Sequence, residues 1–372
     1  MEKDFTLPLQ DGIVNRGNLE RMRKVMRRAE KGEHITTAFL GGSITQGSLS
    51  SVPEKCYAYL TYSWWKKQYP KAEITYVNAG IGGTTSQFGV SRVEKDVLSH
   101  KPDVVFVEFS VNDTNNEFFK ETYEGLIRRI YGDATAPAVM IIHNIKYDDG
   151  ATAEEVHKEL GKHYQIPCVS MQSTIYARMK AGCFVSRDIT ADDLHPNDTG
   201  HQMLADVIIY YLEQIDREKD SVEDDVTMPA PVTANAYEHS VRYQNKDCTP
   251  EAEGFMPDPR EKEYFTDIFK GGWTSGKKGA EIRFTLEGSG IAVQFRQSLV
   301  QPAPIAKAVV DGDEEHAVIL DANFKEDWGD NLAIETVLFH GENKKHDLLI
   351  RIEEAHEDDA AEFYLVSVIA SC

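Results

Sequence analysis

Four short runs carry side chains that can do acyl chemistry. In TTAFLGGSITQGS, residues 36–48, β-branched and apolar residues meet Gly41-Gly42 and then Ser43. A serine directly after a buried strand and two glycines can expose its Oγ and its own N–H at a sheet's rim. An ordinary glycine turn or a helix N-cap is the plain alternative. The run is not a G-x-S-x-G elbow, because Thr45 stands where the last glycine would be. In VNAGIGGTTS, residues 77–86, glycines after a strand let the backbone approach a ligand, and a free N–H there can face an oxyanion. The run offers Gly80, Gly82 and Gly83. In VFVEFSVNDTNN, residues 105–116, Asn112 falls just past a strand and can offer an amide donor or close an Asx turn. Asn115 in the same run is a candidate substrate contact. In DDLHPNDTGHQ, residues 192–202, Asp192 and His195 are three apart, and Pro196-Asn197 open a helix. A carboxylate so placed can hold Nδ1–H and leave Nε2 to take a serine proton; a helix cap with a surface histidine is the bland reading. Asp193 is the rival carboxylate and should point away. His143 ends a strand and is a candidate for the site's wall, whereas His201 falls on the last helix.

These runs need a scaffold. Apolar runs at Ile35–Leu40, Ile74–Asn78, Val104–Phe109, Ala138–His143 and Cys168–Met171 read as strands. Helical patterns alternate with them at Glu54–Gln68, Ser86–Ser99, Thr122–Tyr131, Ala153–Tyr164 and Asn197–Ile215. Near-continuous apolar strands alternating with helices predict a parallel sheet covered on both faces, with active residues at the strands' C-terminal ends. After DREKDSVEDD and TMPAPVTANA the pattern changes to short alternating strands with Gly-Ser and Asp-Gly turns and no helix. The expected organisation is an α/β domain over 1–219, a linker over 220–235 and an all-β sandwich over 236–372.

The bulk properties set limits. At 372 residues the chain exceeds one ordinary core, and 40 basic against 61 acidic side chains give a formal charge of −21. That balance argues against nucleic acid and anionic membranes as partners and leaves sugars open. The N-terminal run has no apolar signal-peptide core, and no stretch is long enough to cross a membrane. The five cysteines are scattered, with no zinc-type pairing. A cytoplasmic protein with reduced thiols and no metal or other cofactor is expected, and a homo-oligomer is compatible with it.

Together the four runs, quoted as GGSIT, NAGIGGTT, FSVND and DDLHPND, resemble the four blocks of the SGNH hydrolases, also called GDSL-type esterases and lipases. Gly42 departs from the commoner aspartate before the serine, and Ser110-Val111 from the usual glycine before the asparagine. The resemblance implies a flavodoxin-like sheet sandwiched by helices. It implies Ser43 as nucleophile, His195 as base and Asp192 as its orienter, with an oxyanion hole of the Ser43 N–H, the Gly83 N–H and Asn112.

The C-terminal pattern, including AVVDGDEEHAVIL, is similar to the jelly-roll, carbohydrate-binding-like modules that accompany several carbohydrate esterases. Trp273 in GGWTSG and Trp328 in KEDWGDN are its candidate sugar-stacking rings, while Trp64 and Trp65 read as packing. The two-domain arrangement resembles carbohydrate esterase family 17, whose members remove acetyl groups from the 2-hydroxyl of mannose in β-mannan oligosaccharides. The implied activity is a serine O-acetylesterase with an acetylated oligosaccharide as partner. The alternatives are the same chemistry on acetylated xylan, a sialic acid or small acyl esters, or a non-catalytic carbohydrate binder on a hydrolase fold.

Overall fold

The computed structural model describes residues 3–372. The chain divides into two compact units, Met1–Ala234 and Asn235–Cys372. The first runs β1 (Ile13–Asn15), α1 (Glu20–Glu30), β2 (Ile35–Gly41), α2 (Ser43–Gln46), α3 (Tyr57–Gln68), β3 (Ile74–Gly80) and α4 (Ser86–Asp96). It continues with β4 (Val104–Glu108), α5 (Glu117–Tyr131), β5 (Ala138–His143), α6 (Glu154–His163), β6 (Cys168–Ser170), α7 (Ala177–Lys180) and α8 (Asp198–Arg217).

The sheet order is β1-β6-β5-β4-β2-β3. Strands β2 to β6 are parallel and give the flavodoxin-like order, with chain progression reversing between β2 and β4. That reversal opens a crevice at the C-terminal ends of β2 and β4, where Ser43 and Asn112 begin their loops. Every residue of β2, β4 and β5 is buried, which explains their mostly apolar character, with Thr36, Thr37, Glu108 and His143 the polar exceptions.

Two elements add to the expected pattern. β1 pairs antiparallel with β6, so the sheet is mixed at that edge. At three residues it is too short to show a period. α1 buries Met22, Val25, Met26 and Ala29, a helical stripe set among four arginines and one lysine. α5 starts at Glu117 rather than Thr122, because the Asn116 side chain accepts the Phe119 N–H at 2.9 Å and caps it.

The segment that reads as a linker is tied to the first unit along most of its length, through Thr233. Arg23, almost fully buried on α1, pairs with Glu218 at 2.8 Å and Glu223 at 3.1 Å. Arg128 donates to the Pro229 carbonyl at 2.9 Å, and Glu124 accepts the N–H groups of Val232 and Thr233, each at 2.8 Å. The acidic run is the complement of a basic helix.

The second unit contains β7 (Val241–Tyr243), β8 (Glu251–Glu253), β9 (Met256–Pro257), β10 (Trp273–Ser275), β11 (Glu281–Gly288) and β12 (Gly290–Gln297). β13 (Ile305–Val310), β14 (Val318–Asp321), β15 (Asn331–Leu338), β16 (Lys344–Glu354) and β17 (Phe363–Ser371) complete it. They form two sheets, β15-β12-β17-β10-β9 with β7 on β17, and β14-β13-β16-β11-β8, and the named strand pairs are antiparallel. β11 alternates buried Ile282, Phe284 and Leu286 with exposed Arg283, Thr285 and Glu287, the period-2 pattern of a half-buried strand.

Candidate active site

Ser43 is the first residue of α2, lifted from the end of β2 by Gly41-Gly42. Its carbonyl accepts the N–H groups of Gly47 and Ser48, each at 3.0 Å, and Gly47 adopts φ +103°, which closes the turn beneath the hydroxyl. The Ser43 Oγ lies 2.8 Å from His195 Nε2. His195 Nδ1 lies 2.6 Å from Asp192 Oδ2.

The run before α8 fits this purpose. Asp192 Oδ1 accepts the backbone N–H of His195 at 2.8 Å and of Leu194 at 3.0 Å, so one carboxylate shapes the turn and holds the ring. Burial works to raise its pKa, but hydrogen bonds from the His195 ring and those N–H groups outweigh it and bring the carboxyl down to about 2. Asp193 turns away: its φ is +63°, its carboxylate meets Arg187 at 2.5 Å and its carbonyl accepts the Tyr147 N–H at 2.7 Å. Asn197 then caps α8 by accepting the Gly200 N–H at 3.1 Å.

The Asn112 carboxamide and the 82–83 loop adjoin the turn that carries Ser43. The Asn112 carboxamide lies against Gly42, where an added Cβ would sit 2.5 Å from Asn112 Oδ1. The 82–83 loop is adjacent, since a Cβ on Gly82 would lie 3.6 Å from Ser43 Cβ. Gly82 already donates its N–H to Gln46 Oε1 at 2.7 Å. The Ser43 and Gly83 N–H groups have no acceptor among the described residues. Gly83 has φ +67°, a conformation suited to glycine. An alcohol bonded to an oriented imidazole beside free donors is equipped to attack an acyl carbon and hold the oxygen that becomes negative.

Two expected contacts, His143 and Trp273, are corrected, whereas Asn115 and Trp328 are exposed. His143 is fully buried at the end of β5, and burial drives its pKa well below the ordinary histidine value, so its ring cannot line an open site. Trp273 is 3% exposed and packs edge-on against Phe284 in the core of the second unit, because it faces inward from a paired strand. Asn115 lines a groove of about 730 Å³ with Asn112, Lys146 and Gln172. Its carboxamide is committed to the fold, donating to the Thr152 carbonyl at 2.8 Å and accepting the Val156 N–H at 3.3 Å. Trp328 is 58% exposed, with Nε1 bonded to Glu326 Oε2 at 2.6 Å and Phe324 edge-on at 5.0 Å.

Other residues of the site's frame escaped sequence reading. His201 Nδ1 accepts the Tyr57 N–H at 3.3 Å while Nε2 donates to the Ser48 carbonyl at 3.1 Å, clamping the loop after Ser43. Asp198 holds the same loop through Ser51 and Lys55. The buried Arg92 guanidinium donates to the carbonyls of Ala79 at 2.7 Å and Gly41 at 3.2 Å, joining the ends of β3 and β2. No local pattern marks these roles, because each partner is distant in sequence.

Comparison with known proteins places this geometry in context. Residues 39–203 match the model of the GDSL-like lipase/acylhydrolase family. A crystal structure of a two-domain esterase active on acetylated mannans is 54% identical, with a TM-score of 0.97 over 98% of this chain and 99% of that one. The same esterase type co-crystallised with mannopentaose is also 54% identical, with a TM-score of 0.96 over 99% of this chain and 98% of that one. An acetylxylan esterase of Geobacillus stearothermophilus is 24% identical over 196 residues, 45% of this chain and 89% of that protein. Thioesterase 1/protease 1/lysophospholipase L1 of Escherichia coli K12 is 26% identical over 190 residues, 48% of this chain and 84% of that protein. With the family model matched over residues 39–203 and a full-length relative at 54% identity that is an esterase, the chain belongs to the GDSL-like lipase/acylhydrolase family.

Proposed function

We propose that this protein is a serine esterase that removes O-acetyl groups from oligosaccharides, foremost from β-mannan oligosaccharides at the 2-hydroxyl of mannose. The observation that carries the reading is the unbroken chain Ser43 Oγ–His195–Asp192 at 2.8 and 2.6 Å. His195 Nε2 takes the Ser43 proton as Oγ attacks the acetyl carbonyl, and Asp192 stabilises the resulting imidazolium. The carbonyl oxygen becomes negative and is met by the Ser43 N–H, the Gly83 N–H and the Asn112 amide. Collapse breaks the bond to the sugar oxygen, which leaves with the proton held on His195. Water then attacks the acetyl-enzyme by the same route, releasing acetate and restoring Ser43.

The substrate is supported by the full-length likeness to the esterase active on acetylated mannans and by that esterase's co-crystallisation with mannopentaose. Trp328 is the ring that can stack on a sugar from the second unit; Trp273 and His143 are buried. The five cysteines are free thiols, which supports a reducing, cytoplasmic setting. Mass spectrometry of acetylated mannan and xylan oligosaccharides tests the reading. Acetyl mass should disappear fastest from the mannan series and persist with Ser43→Ala. Retained activity in that variant overturns the nucleophile, and faster xylan deacetylation overturns the substrate.

A further inference from the structure

Resting on the esterase reading, a further role follows from a buried carboxylate that does not face the reacting atoms. Asp113 is 4% exposed, and its own N–H donates to the Phe109 carbonyl at 2.9 Å. Its Oδ1 accepts the Ser86 N–H at 3.0 Å, and Oδ2 lies 3.1 Å from His157 Nε2 on α6. Ser86 opens α4, whose cap residue Thr85 supplies no side-chain hydrogen bond, so Asp113 caps this helix from another loop. His157 is itself fully buried and stacks on Tyr123 with ring centroids 3.6 Å apart, which fixes where it can donate.

The placement matters because of what adjoins each end. Asn112 immediately precedes Asp113, and Gly83 lies three residues before Ser86. One carboxylate thus fastens the two loops that carry two of the three oxyanion donors. Such donors act only when they meet the developing charge at about 2.7–3.1 Å, so a small change in loop spacing is felt chiefly in the transition state. We propose that Asp113 is a positioning residue that sets the spacing between the Gly83 N–H and the Asn112 amide, and that His157 sets the orientation of Asp113.

The test compares p-nitrophenyl acetate turnover with inhibition by a small alkylboronic acid. In that inhibition the Ser43 Oγ–boron bond forms, the hydroxyl proton passes to His195 and the anionic boronate oxygen occupies the oxyanion position. Asp113→Ala should lower kcat about 10²-fold, with KM little changed. Boronate affinity should weaken by the same factor. Asp113→Asn keeps an acceptor for Ser86 and should restore most of the loss. His157→Phe keeps the stack on Tyr123, removes the donor and should cost about tenfold in both readouts. If Asp113→Ala does not fold, His157→Phe decides by whether kcat and boronate affinity fall in proportion. Parent-like kcat in Asp113→Ala or, where that variant does not fold, in His157→Phe overturns the proposal, as does a kcat loss without a matching boronate loss. Ser43→Ala separates the two levels: residual turnover in it sinks the esterase reading, whereas an inactive Ser43→Ala beside unaffected Asp113 and His157 variants sinks only the positioning role.

Discussion

Asp192 carries its function through two oxygens with different duties. Oδ2 faces the imidazole and Oδ1 binds the N–H groups of Leu194 and His195. Asp192→Asn should cut kcat by about 10⁴ through the wrong imidazole tautomer. Asp193→Asn should leave turnover near the parent value, because that side chain meets Arg187 instead. Steady-state kinetics of the two variants checks the assignment, and equal losses would contradict it. A second carboxyl makes a pH prediction. Burial pushes Glu108 from 4.5 up to about 7, against hydrogen bonds from Ser110, while the nearby charge of Asp113 raises it further. Tyr57 and Tyr123 also feel its charge. The folded state therefore keeps a proton that the unfolded state loses, so the stabilisation is full below 4.5 and lost as pH rises through about 7. Relative to Glu108→Gln, the parent should lose about 3 kcal/mol across that window. Urea unfolding of both proteins at the two ends of the window measures the difference.

Among elements, the junction of α2 with β3 shows what the second glycine-rich run is for. A Cβ on Gly80 would sit 2.2 Å from the Gln46 backbone nitrogen and 2.6 Å from its Cα. The glycine thus admits the helix that begins at Ser43 rather than a ligand, a distinction that composition cannot reveal. Gly80→Ala should destabilise the fold by about 1–3 kcal/mol or more and lower turnover, as denaturation midpoints and kcat would show. Arg92 binds the ends of β2 and β3 from α4, with Asp96 at 3.1 Å. Arg92→Met should cost about 2–4 kcal/mol, because two buried carbonyls and a partner charge lose their donor. The strands were legible from their apolar runs. Arg92's role was not, since its contacts join residues 13 and 51 positions away.

For the whole molecule, every residue assigned to the chemistry lies in Met1–Ala234, and each unit has a hydrophobic core of its own. A chain ending at Ala234 should therefore fold and hydrolyse p-nitrophenyl acetate near the parent rate, while losing efficiency on acetylated mannan oligosaccharides. In the full chain, Trp328→Ala should raise KM for those oligosaccharides and spare p-nitrophenyl acetate. Parallel losses on both substrates would mean that the second unit acts through stability alone.

The order of strands and helices, the change to an all-β pattern and the four chemical runs were readable from the sequence, because periodicity and short spacing are local properties. Asp192 and His195 could be paired on spacing alone, since three residues of turn suffice to join them. Tertiary structure alone decided that Gly82 is spent on Gln46 while the Gly83 N–H meets no acceptor among the described residues, that His143 and Trp273 are interior, and that Asp113 joins two loops. Those facts depend on which distant backbone and side-chain groups meet, and packing settles that only once the sheet has brought the loops to one rim.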